Sequence, residues 1–167
     1  VCLDESASTE GENAEWGTAL ALAVQDICSH EGRKFALIHF SGADQLRTDL
    51  FLPGQYTADD LLSAAEHFFC GGTDFEAPIR EALRLIDEEM FENADILFIT
   101  DGQCSISDEM AEQLQSAIQD ARCSVIGLLL DANYPGMEFS LKKFCEKILR
   151  ISEIDKGGVE QIILASR

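Results

Sequence analysis

Ile96-Leu97-Phe98-Ile99-Thr100-Asp101-Gly102 is a run of four apolar residues that ends in a hydroxyl, a carboxylate and a glycine. The apolar run reads as a strand buried on both faces, as strands of a parallel sheet are. The polar end places an Asp-Gly turn at its carboxyl end. The same order recurs on either side. Val1 to Leu3 is the end of a strand that runs into Asp4, and Phe35 to Phe40 and Val125 to Leu130 are two further short apolar strands.

Helical patterns fill the gaps. Trp16, Leu20, Val24, Ile27 and Cys28 share one face of a first helix. Thr57 with Asp60 three residues later resembles a capping box, and it opens a helix bearing Leu61, Leu62, Ala65, Phe68 and Phe69. Gly71-Gly72 breaks that segment. Phe75, Ile79, Ala82, Leu83 and Ile86 mark the next helix, where Pro78 is tolerated because it falls near the first turn. Ser107 caps a helix carrying Met110, Leu114, Ile118 and Ala121. Phe139 to Ile148 is expected as a helix, Leu149 to Ile151 as a short strand and Val159 to Ala165 as a last helix. Gln45 to Leu52 alternates instead, with Leu46, Thr48, Leu50 and Leu52 on one face. It follows the tight turn Ser41-Gly42-Ala43-Asp44, so it is an antiparallel hairpin partner at the sheet edge.

Strand alternating with helix predicts an α/β fold: a doubly wound, mostly parallel sheet with one antiparallel edge strand and helices on both faces. The 167 residues suit one domain, 1–167. Val1 already lies in an apolar run, so the domain is expected to be cut from a longer protein.

The net charge of −19 argues against nucleic acid and anionic membrane surfaces, since both need clustered Lys and Arg. No stretch is long and apolar enough to insert in a membrane. Six cysteines, at 2, 28, 70, 104, 123 and 145, show no zinc-type spacing. Cys2, Cys28 and Cys123 fall in apolar segments as buried free thiols, which suits a reducing, cytoplasmic compartment. Cys70 and Cys104 lie beside polar loops and are expected near one another.

Three polar loops carry the chemistry. Asp4-Glu5-Ser6-Ala7-Ser8 and Thr100-Asp101-Gly102 end predicted strands, and Gly71-Gly72-Thr73-Asp74 precedes a predicted helix. Alternation in an extended turn points Asp4, Ser6 and Ser8 to one side. In doubly wound sheets, ligands bind beyond the strand carboxyl ends where the strand order reverses, so one cleft can collect all three loops. Asp4, Ser6, Ser8, Thr73 and Asp101 offer two carboxylates and three hydroxyls. That all-oxygen set suits a hard cation that keeps some water, above all Mg²⁺, with Mn²⁺ or Ca²⁺ as alternatives. Asp74 is expected to cap the following helix, His39 to be a core histidine, and His30 and His67 to lie on helix surfaces.

This order of loops resembles the metal-ion-dependent adhesion site of von Willebrand factor A-type (VWA) domains, a Rossmann-like family, and the resemblance covers essentially the whole chain. It implies that Ser6, Ser8 and Thr73 touch the metal while Asp4 and Asp101 act mostly through water. Ala7 stands where the family commonly has Gly, and Thr9 where it often has Met. The resemblance implies a protein–protein interaction module and not an enzyme, whose metal accepts a Glu or Asp from a partner. Within the family the chain looks most like bacterial cytosolic members that partner MoxR-type AAA+ ATPases. The alternative is a Mg²⁺-dependent phosphohydrolase on a similar fold. Against it, Ser6 stands where a dehalogenase-type phosphatase would want a second aspartate, and the strand around Ile126-Gly127 offers no receiver-type lysine.

Overall fold

A computed structural model describes residues 1–88, 90–91, 94–130 and 138–153. Six strands form one sheet: β1 (Cys2–Asp4), β2 (Phe35–Phe40), β3 (Leu46–Phe51), β4 (Ile96–Thr100), β5 (Val125–Leu129) and β6 (Lys147–Arg150). Their order is β3-β2-β1-β4-β5-β6. All neighbours are parallel except β3, which runs antiparallel to β2 at the edge. The strand order reverses between β1 and β4, so the crevice at their carboxyl ends is the topological switch point.

Among the described residues, four α-helices cover the sheet: α1 (Glu12–His30), α2 (Ala58–Ala65), α3 (Glu76–Asp87) and α4 (Asp108–Ala121). Successive strand residues point to opposite faces. One core therefore takes Cys2, Ile38, Phe40, Ile96 and Phe98 against α3 and α4, and the other takes Leu3, Leu37, Leu97 and Ile99 against α1. Phe98 anchors the first core, its ring centroid 5.1 Å from both Phe40 and Phe75 and 5.5 Å from Phe144. In the second, Gly17 lets α1 approach β1: a Cβ there would lie 2.9 Å from Leu3 Cδ1.

The helix ends follow their local chemistry. Thr57 and Asp60 form a reciprocal capping box on α2, and the Ser107 hydroxyl accepts from Met110 N on α4. Some expectations are corrected. Trp16 is 61 % exposed; the inward face of α1 is Gly17, Leu20, Ala21, Val24 and Cys28. Helix α2 stops at Ala65, so Phe68 and Phe69 lie beyond it, and Leu62 is exposed. On β3, Leu46 and Leu50 stay partly exposed while Phe51 is buried.

The helix expected over Phe139 to Ile148 is not formed. A single 3₁₀ turn, Leu141–Lys143, is followed by β6. Ile148 and Leu149 pair with Gly127 and Leu128, and Glu146 N donates to Val125 O. The helix-like spacing of Leu141 and Phe144 is met by that one turn, which buries both. The helix expected over Val159 to Ala165 lies outside the described residues.

Candidate metal cleft at the switch point

The first polar loop leaves β1 directly. Its backbone is held on both sides: Glu5 N donates to Phe40 O at 2.8 Å, and Ala7 N donates to Gly71 O at 2.9 Å. A 3₁₀ turn, Ala7–Thr9, then leads toward α1. Thr9 is fully buried, and its hydroxyl donates to Ser6 O at 2.8 Å and Asp4 O at 3.2 Å. It is thus a brace for the loop that carries Asp4, Ser6 and Ser8. Ala7 is not among the left-handed non-glycine residues, which are Cys70 and Arg122 among the described residues. Alanine in place of glycine therefore costs the loop no backbone strain.

The second loop is tied to the end of β2 by Ser41. Ser41 Oγ donates to Gly72 O at 2.7 Å and accepts from Gly71 N at 3.0 Å, while Ser41 O accepts from Asp74 N at 2.8 Å. Ser6 and Gly71 form an isolated parallel bridge. Asp74 Oδ1 accepts from Glu76 N at 3.0 Å, but the residue at the N-cap of α3 is Phe75, so Asp74 steadies the turn before the helix and is not the expected cap.

The third loop continues β4. Thr100 Oγ1 donates to Asp4 Oδ2 at 2.5 Å and accepts from Gly102 N at 2.9 Å. Asp101 accepts from Gln103, through backbone N at 3.0 Å and Nε2 at 3.1 Å. Cys104 Sγ reaches Thr73 O at 3.5 Å, which joins the second and third loops.

Hydrogen bonds join three of the five predicted residues, Asp4, Ser6 and Ser8, and Asp101 acts on Asp4 through its charge. Asp4 Oδ1 accepts from Ser6 N at 2.9 Å, and the Ser6 and Ser8 hydroxyls are 3.1 Å apart. Asp4, Ser6 and Asp101 are almost wholly buried, whereas Ser8 is exposed. Burial pushes the Asp4 carboxyl up to about 6, against the lowering effect of its bonds from Thr100 and Ser6, and the neighbouring Asp101 charge pushes the same way. A buried carboxyl at Asp4 whose charge is disfavoured by burial and by a neighbouring acid makes a favourable setting for a cation. The predicted donors are carboxylate and hydroxyl oxygens, a set that fits a hard divalent ion, and the Cys104 thiol lies beside the second loop. Thr73 is half-buried, and the contact it makes with the third loop is through its carbonyl oxygen, on Cys104 Sγ, and not through its hydroxyl.

All six cysteines are free. Burial pushes the Cys2 and Cys145 thiols up to about 12, which makes them inert packing residues.

One group escaped sequence analysis. Glu5, His39 and His67 each present a donor atom, and these atoms lie within 4.8 Å of one another. His39 is buried in β2 as expected, but His67 lies past the end of α2 with its ring on Glu5, not on a helix surface. The only local hint was a histidine inside the apolar run Phe35–Phe40.

Comparison with known proteins identifies the family. The model for the von Willebrand factor type A domain matches residues 1–103, and the chain belongs to that family. Two uncharacterized proteins of Methanocaldococcus jannaschii are 30% identical over 162 residues and 28% identical over 155. The alignments take in 97% and 92% of this chain but only 39% and 34% of those longer proteins. Among solved structures, the von Willebrand factor type A protein from Catenulispora acidiphila superposes with a TM-score of 0.72 at 15% identity, covering 99% of this chain and 40% of that one. An aerotolerance-related membrane protein from Bacteroides fragilis with multiple mutations to serines gives 0.69 at 18%, covering 98% and 94%. Proximal thread matrix protein 1 of the mussel byssus, with a zinc-occupied MIDAS (metal-ion-dependent adhesion site) motif, gives 0.65 at 16%, covering 99% and 46%. At these identities the likeness shows the fold. No helix among the described residues is long and apolar enough to cross a membrane.

Proposed function

We propose that this domain is a divalent-metal-dependent protein-interaction module. Asp4, Ser6, Ser8, Thr73 and Asp101 hold a Mg²⁺ ion, or Mn²⁺ or Ca²⁺ in its place, at the carboxyl ends of β1 and β4. The observation that carries this reading is the convergence of Asp4, Asp101 and the Ser6–Ser8 hydroxyl pair at the point where strand order reverses. The ion supplies positive charge and an open coordination position. Hydroxyl ligands are neutral, so they leave the dication with unspent attraction for one more anionic oxygen. A Glu or Asp side chain of a partner provides it, and the metal becomes part of the interface. The zinc-occupied motif in the mussel protein is in keeping with a cation at this place in the fold.

The residues present favour binding over catalysis. A hydrolase needs an activated nucleophile or an acid–base pair near its substrate. The Ser6 hydroxyl instead meets Ser8 at 3.1 Å, and the Asp4 carboxylate is engaged by Ser6 N and Thr100. The family resemblance extends the proposal to a cytoplasmic setting and to an AAA+ ATPase of the MoxR type as partner class. The bacterial placement rests on that resemblance too, whereas the curated relatives are archaeal.

The test is a pull-down on immobilised domain in Mg²⁺ and in EDTA. A partner released by EDTA and lost on Ser6→Ala with Ser8→Ala is the expected result. A partner held equally in EDTA and by the double variant would overturn the metal-dependent reading.

A further inference from the structure

We propose that Glu5, His39 and His67 form a second metal site, for a divalent ion of the zinc class, separate from the oxygen-only cleft. This inference does not rest on the proposed function. Glu5 follows Asp4 on an extended backbone, and adjacent residues there point to opposite faces. Asp4 faces the cleft. Glu5 turns the other way, where it is 2 % exposed and accepts from His39 Nδ1 at 2.5 Å on one oxygen and from His67 Nδ1 at 2.7 Å on the other. The two imidazole rings are 5.0 Å apart.

Two imidazoles and a carboxylate are the donor set that zinc and similar borderline ions favour over Mg²⁺. Donor atoms around a tetrahedral zinc ion are roughly 3.3 Å apart, so the present contacts need to open by about 0.6 to 0.8 Å. His67 lies at a loop position and its side chain is 20 % exposed, so it can open its own contact with Glu5 and leave a path for the ion, while the contact of His39 with Glu5 opens by rotation of the buried groups.

His39 carries the second observation. A neutral imidazole that donates from Nδ1 must move its proton to Nε2 before it can offer Nδ1 to a metal. The His39 ring is fully buried, and its Nε2 has no aligned hydrogen-bond partner. That nitrogen nevertheless lies 3.1 Å from Asp49 Oδ2, itself a buried oxygen without an aligned hydrogen bond. An Nε2–H would find its acceptor there with a small ring rotation. Asp49 is held in turn by Arg47, whose Nε is 2.9 Å from Oδ2. A carboxylate behind a metal-ligating histidine is the usual device that fixes its tautomer and orientation. With an ion on the Nδ1 side, His39 Nε2 carries the proton and Asp49 Oδ2 stands 3.1 Å away to accept it.

The site would join three chain segments. Glu5 belongs to the first polar loop, His39 to β2, and His67 to the stretch that leads into Gly71-Gly72-Thr73. Cys70 N already donates to Glu5 O at 3.0 Å. An ion here would therefore pin two of the three loops of the neighbouring cleft from behind.

Co²⁺ titration of the EDTA-stripped protein, followed by visible d–d absorption, tests this. Imidazole-containing sites of low coordination absorb strongly, and hydrated all-oxygen sites weakly. The expected result is one strongly absorbing Co²⁺ per chain, displaced by Zn²⁺. It should persist in the Ser8→Ala, Thr73→Ala double variant, which addresses the other cleft, and weaken at least tenfold in His67→Gln. Glutamine keeps a donor for Glu5 but offers no imidazole, and near-ultraviolet circular dichroism checks that the variant folds. A folded His67→Gln that titrates like the parent would overturn the site. Zinc-edge X-ray absorption on the unaltered protein provides an arm free of variants: two imidazoles in the coordination shell support the proposal, and an oxygen-only shell refutes it.

Discussion

The Asp4 carboxyl gives the metal-free domain a measurable pH signature. Burial pushes it from 3.8 up to about 6, so the folded chain holds this proton more tightly than the unfolded chain does. The stabilisation is fully present below about pH 3.8 and is lost as the pH rises through about 6. The gap corresponds to about 3 kcal/mol, an order-of-magnitude figure applied to a residue 1 % exposed. Asp4→Asn removes the titration while keeping an oxygen that can accept from Ser6 N. Urea unfolding in EDTA at several values from about pH 4 to about pH 7 reads the effect as the difference between parent and variant, which cancels the other carboxylates. The parent should lose up to about 3 kcal/mol relative to Asp4→Asn across that window. Saturating Mg²⁺ at neutral pH should then restore stability to the parent alone, because the ion replaces the proton as the partner of the buried charge. A difference that stays flat from about pH 4 to about pH 7 would refute the reasoning, since it would mean Asp4 is not held in a desolvated place.

Other substitutions follow from the packing. Phe98→Ala removes a fully buried ring that meets three other aromatic rings, and should cost about 3 to 5 kcal/mol in urea unfolding. Thr100→Val keeps the shape of the side chain but deprives Asp4 of a donor and Gly102 N of an acceptor; a loss of about 2 to 4 kcal/mol is expected. Gly17→Ala should destabilise by about 1 to 3 kcal/mol, because its methyl group would press on Leu3 in the contact between α1 and β1. Arg122 ends α4 in the left-handed region with φ 53°, so Arg122→Gly should raise stability by about 0.5 to 1 kcal/mol in the same assay.

The parts of this fold that depend on short-range chemistry were legible in the sequence. Apolar runs such as Phe35–Phe40 and Ile96–Thr100 are buried on both sides and have no competing reading. The capping box at Thr57 and the Ser107 cap also declare themselves within four residues. The segment after Phe139 was misread because Leu141, Phe144 and Ile148 have helical spacing, while the ladder with β5 that overrides it lies some twenty residues upstream. Trp16 was misplaced for a related reason: an aromatic residue adds to a helix face in sequence whichever way that face turns.

That the first and third polar loops meet was legible because they leave the ends of β1 and β4, and alternation of strands and helices says which ends are neighbours. The Glu5–His39–His67 group was not. Its contacts span 34 and 62 residues, and no motif links them. His39 looked like a core residue, which it is; what could not be seen is that its neighbours are an acid from the first loop and a histidine that α2 ends too early to carry.

The most direct test of the central claim is a crystal of this domain grown with Mn²⁺, with anomalous scattering measured at the manganese edge. The account predicts a peak bounded by Ser6, Ser8 and Thr73, with Asp4 and Asp101 directly behind it or bridged by water. No peak in that crevice at saturating Mn²⁺, or a peak whose ligands exclude these five residues, would contradict it.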